Sequence, residues 1–130
     1  MGFDKKGDVG LAEDLVFFLS NLTSIEDHAA KSYPLKKDTK WLEVVEIIRT
    51  MRTKWLSGLV KKNNSHIWCI SKHLLSSIEG AIEVGNRFVS TGQHEQASEA
   101  YSDANSLTSL LLVLNGYKGG KNVSKAKSSA

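Results

Sequence analysis

A chain of 130 residues, 41% hydrophobic and 24% charged, is long enough for one domain with its own core and has the composition of an ordinary globular protein. Its apolar runs fall far short of the roughly 20 residues that span a bilayer, and a single proline excludes collagen-like and proline-rich chains. The net charge of +3 is unevenly placed, because Gly116 to Ala130 holds Lys118, Lys121, Lys125 and Lys127 and no acid, leaving the remainder slightly acidic.

Residues 1–10 are expected to form a flexible N-terminus, since Asp4, Lys5, Lys6 and Asp8 do not suit a secretory signal. Four segments then repeat apolar residues at intervals of three and four, the period of a helix with one buried stripe. The first runs Leu11, Leu15, Phe18, Leu22, Ile25, Ala29, and Tyr33-Pro34-Leu35 is expected to stop it, because proline lacks an amide proton and disfavours helical geometry before it. The second, which Asp38 or Thr39 can cap, runs Trp41, Val44, Val45, Ile48, Met51, Trp55, Leu59. Lys61 and Lys62 follow at its end, where the helix dipole favours cations, and Asn64 or Ser65 can cap the next helix. The third stripe is Ile67, Ile70, Leu74, Ile78, Ala81, Gly85, Phe88, closed by Gly92 in a left-handed cap. The fourth is Ala97, Ala100, Tyr101, Ala104, Leu107, Leu111, Leu114. Short connections between four such helices predict an all-α, antiparallel up-down-up-down four-helix bundle over 11–115, followed by a flexible Lys/Gly/Ser tail over 116–130. With Cys69 as the single cysteine there is no internal disulfide, and a cytoplasmic location without a membrane partner is expected.

From Val84 to Ala104 the chain reads VGNRFVSTGQHEQASEAYSDA. This resembles one tetratricopeptide-repeat hairpin: Gly85 matches the small residue where the helices approach, Phe88 the aromatic, Gly92 the turn, and Ala97, Tyr101 and Ala104 the second helix. The resemblance implies a helical hairpin and protein binding, although a lone unit makes no concave groove. The whole chain is also similar to small helical proteins of archaea. Arg87 and His94 have the Arg-x6-His spacing of the HEPN ribonucleases, but Gly92 is expected to end the helix between them.

Three surfaces are candidates for function. Trp68, Leu75 and Ile82 widen the apolar arc of helix three, and Leu110, Leu112 and Val113 make the end of helix four apolar on every side. These six are the expected interface of a non-catalytic interaction or scaffold module, closing as a homodimer or on a helical partner. Arg49, Arg52, Lys61 and Lys62, with the tail lysines, could instead meet nucleic-acid phosphates. A metal or small-ligand site is the third reading. His66, Cys69 and His73 share one face of helix three, and His28 could join from helix one to hold zinc or a similar transition metal. Asp14, Asn21 and His28 on helix one and His66, His73, Gly80 and Arg87 on helix three would form a polar seam if those edges meet. No cofactor is required by any motif.

Overall fold

The computed structural model describes residues 9–60 and 64–117. Four helices occupy nearly all of them, α1 (Val9–Lys36), α2 (Lys40–Leu59), α3 (Ser65–Ser90) and α4 (His94–Leu114), with no strand among the described residues. The expected all-α architecture is therefore present. The remainder of the expected N-terminal and C-terminal flexible segments, and Lys61 and Lys62, lie outside the described residues.

The helix boundaries follow local chemistry. Asn64 accepts hydrogen bonds from the amides of His66 and Ile67 and so caps α3. At α2 it is Asp38, one residue before the N-cap Thr39, whose carboxylate accepts from the Lys40 amide at 3.0 Å. Gly92 adopts φ +74°, and the turn around it lets the amide of Gln93 donate to the Phe88 carbonyl, closing α3 before His94 begins α4. Arg87 and His94 thus sit on different helices.

Pro34 does not stop α1, which continues through it to Lys36. In the last turn the missing proline amide forfeits a single intrahelical bond. The chain leaves the helix instead at Lys37, where φ is +51° and the amide donates to the Tyr33 carbonyl at 2.7 Å.

Helix α1 packs against each of the other three, α3 packs closely on α4, and α2 approaches only α1 among the described helices. The shared core lies where the first half of α1 (Leu15, Val16, Leu19, Leu22), the end of α2 (Leu56, Leu59), the first half of α3 (Leu74, Leu75, Ile78) and the end of α4 (Leu111, Leu112) converge. A buried polar contact crosses this core, with Asn115 Nδ2 donating to Ser71 Oγ at 3.0 Å. Tyr117 is buried beside it and its hydroxyl donates to the Leu59 carbonyl, so the folded body reaches two residues past the expected 115. Burial raises the Tyr117 pKa.

Away from the core, the two helix pairs are held by different means. In α3–α4 the buried positions are the small residues Gly85 and Ala97, and Tyr101 lies across Gly85 with its hydroxyl donating to Asn86 Oδ1. A methyl on Gly85 would overlap the Tyr101 ring. Gly85→Ala is therefore expected to destabilise the protein by about 1–2 kcal/mol, because overpacking outweighs the helix propensity that alanine adds. Urea denaturation checks this, and the loss should shrink in a Tyr101→Ala background.

Candidate functional site

Because α2 leans on α1 alone, the space between α2 and α3 stays open, and α1 forms its floor. The resulting cleft has a volume of about 570 Å³. Helix α1 contributes Thr23, Glu26 and Asp27, α2 contributes Arg49, Arg52 and Thr53, and α3 contributes Trp68, Cys69, Lys72, His73 and Ser76. At its base Arg52 donates to Glu26 Oε1 through Nε at 3.3 Å and through Nη2 at 3.1 Å. Both side chains are largely buried, at 10% and 15% exposure, which makes this a desolvated, charge-assisted pair rather than a surface one. Arg49 approaches the other Glu26 oxygen at 3.9 Å from a mostly exposed position.

Arg52 was expected on a solvated surface; it is buried instead, and its Nε and Nη2 pair with Glu26. The sequence held a signal for this, since Ile48, Arg52, Trp55 and Leu59 are spaced by four, three and four, which places Arg52 inside the apolar stripe. Of the other nucleic-acid candidates, Arg49 is exposed, and Lys61 and Lys62 lie outside the described residues.

A smaller cleft of about 220 Å³ continues along α1 and α3 and includes Asp27, His28, Lys31, Glu79, Gly80 and Glu83. It realises one part of the expected polar seam, bringing His28 to the gap left by Gly80. Burial, and then the charge of Glu83, raises the pKa of Glu79. The folded protein therefore keeps this proton to higher pH than the unfolded chain does. Glu79 lowers stability as pH rises from the ordinary glutamate range through the elevated folded value. Glu79→Gln is expected to be more stable than the parent at neutral pH and to flatten that part of the profile, as urea midpoints at a series of pH values would report.

The four metal candidates are not gathered together. His28, His66, Cys69 and His73 are all exposed; Cys69 and His73 line the larger cleft, His28 the smaller, and His66 neither. Two helical turns separate His66 from His73. Among the described residues no group of three or more His, Cys, Asp or Glu is placed to hold a metal ion.

The six expected interface residues divide. Leu75 and Leu112 are fully buried core residues, because α3 and α4 each pack on α1 as well as on one another and so need a wide apolar arc. Trp68 and Ile82 are half-buried against that core, and only Leu110 and Val113 are exposed, at 45% and 39%.

A different apolar surface lies on the outer edge of the α1–α2 pair. Leu11, Phe18 and Ile25, spaced by seven along α1, are each partly exposed. Ile47, Met51 and Trp55, spaced by four, form a second row on α2, with Ile47 61% exposed. The rows meet where Phe18 and Trp55 pack edge to face at 6.1 Å between ring centroids. A shallow depression there is lined by Glu46, Ile47, Thr50, Met51 and Lys54, and the Lys54 ammonium sits 5.3 Å from the Trp55 ring centroid. Among the described residues no helix is long and apolar enough to cross a membrane.

No protein-family model, curated protein or solved structure matches the chain.

Proposed function

We propose that the protein is a helical interaction module, an antiparallel up-down-up-down bundle that self-associates through the outer edge of its α1–α2 pair. The observation that carries this reading is the double apolar row in which Leu11, Phe18, Ile25 and Ile47 are exposed and Met51 and Trp55, partly buried against the core, fill the space between them. Single exposed hydrophobics are ordinary on a monomer, whereas a continuous strip spanning two helices marks a contact surface.

The charges beside the strip favour a second copy as the occupant. Glu46 and Lys54 both border it, four residues to either side of Thr50. A two-fold axis crossing α2 at Thr50 brings Glu46 of each copy to Lys54 of the other, and sets Ile47 of each copy beside Met51 of the other. An isologous contact requires this kind of self-complementarity.

Charge reversal tests the register. Lys54→Glu sets two acids against each other at both ends of the contact and is expected to weaken self-association about tenfold or more. Adding Glu46→Lys to the same chain should restore it. Disruption by Val113→Asp, with Lys54→Glu inert, would move the interface to the end of α4 and overturn this reading.

A further inference from the structure

We infer that the cleft between α1, α2 and α3 binds a small phosphomonoester, its phosphate held by Arg49, Arg52 and Lys72 and its flat apolar group laid against Trp68. The cleft lies on the other side of α2 from the self-association edge, so this inference stands independently of it.

A volume of about 570 Å³ is that of a small-molecule site. What singles this cleft out is the ion pair at its base. A buried ion pair contributes little net stability compared with apolar residues of similar size, because desolvation offsets the attraction. Arg52 and Glu26 nevertheless meet at the base of an open cleft whose wall carries further cations. Glu26 takes the Nε and Nη2 donors and thereby fixes the plane of the guanidinium, while Nη1 has no hydrogen-bond partner among the described residues. An oriented guanidinium with donors to spare suits a phosphate oxygen. Arg49 and Lys72 add two cations, whereas the acids on the wall are Glu26, already engaged by both arginines, and Asp27. The balance is one positive charge in excess. Trp68, half-buried on α3, supplies an apolar wall beside these groups.

The test is a titration of the isotopically labelled full chain with phenyl phosphate, following backbone amide shifts by NMR. Saturable shifts at Thr23, Cys69 and Ser76 are expected, with inorganic phosphate binding more weakly for want of the ring. Arg49→Gln and Lys72→Gln change exposed side chains that the core does not need, and each should weaken binding about tenfold. No saturable shift up to about 10 mM phenyl phosphate, a range that covers weak small-molecule sites, would overturn the inference, as would shifts unaltered in the Arg49→Gln/Lys72→Gln protein. Benzoate binding as tightly as phenyl phosphate would overturn the assignment to a phosphomonoester.

Discussion

Leu75→Ala is expected to cost about 2–5 kcal/mol of folding stability while leaving self-association intact once allowance is made for the unfolded fraction. Leu75 is fully buried in the core where α1, α3 and α4 converge, so truncation removes both its transfer energy and the contacts of every neighbour around the cavity. Leu112→Ala, fully buried in the same core, should behave alike. Urea denaturation gives the stability change, and sedimentation of the folded fraction gives the oligomeric state. If Leu75→Ala left stability within about 0.5 kcal/mol of the parent, as a surface substitution does, and dissolved the assembly instead, Leu75 would belong to an interface.

Breaking the ion pair should have an effect of comparable size. Arg52→Ala leaves the Glu26 carboxylate mostly buried without its main partner, at an expected cost of about 3 kcal/mol. Residual exposure and the nearby Arg49 hold the figure towards the lower end of the range for buried pairs. The double variant Arg52→Met/Glu26→Met removes both charges and keeps apolar volume, so it should recover most of the loss. The cycle of single and double variants, measured by urea unfolding, isolates the pair's coupling from the cost of an orphaned charge. Equal stability of Arg52→Ala and the parent would show that the pair is solvated. In the phosphate titration the double variant, although folded, should bind about tenfold more weakly or worse.

The helices and most of their ends were legible because they depend on local rules. Apolar spacing located all four, and Asn64 and Gly92 act at the ends where their chemistry placed them. Pro34 misled because a proline's cost depends on its position within a helix, and in the last turn it forfeits little. The sorting of apolar residues between core and surface was less legible. A stripe on one helix does not reveal how many neighbours that helix will have: α3 and α4 each meet two, which draws Leu75 and Leu112 inside, whereas α2 meets one and leaves Ile47 outside. Arg52 shows the same limit from the other side. Its spacing placed it in the stripe while its charge argued for solvent, and only the approach of Glu26 from α1 resolves the conflict. That pairing spans 26 residues, a long-range contact that no local pattern encodes.

Sedimentation equilibrium of the full chain across a range of concentrations shows whether the α1–α2 edge pairs two copies. The expected result is a concentration-dependent mass rising towards twice the 14.3 kDa of one chain, with Lys54→Glu holding the protein at the single-chain mass and Glu46→Lys/Lys54→Glu restoring the doubling. A single-chain mass for the parent up to about 1 mM, a concentration that would reveal even weak association, would contradict self-association through the α1–α2 edge.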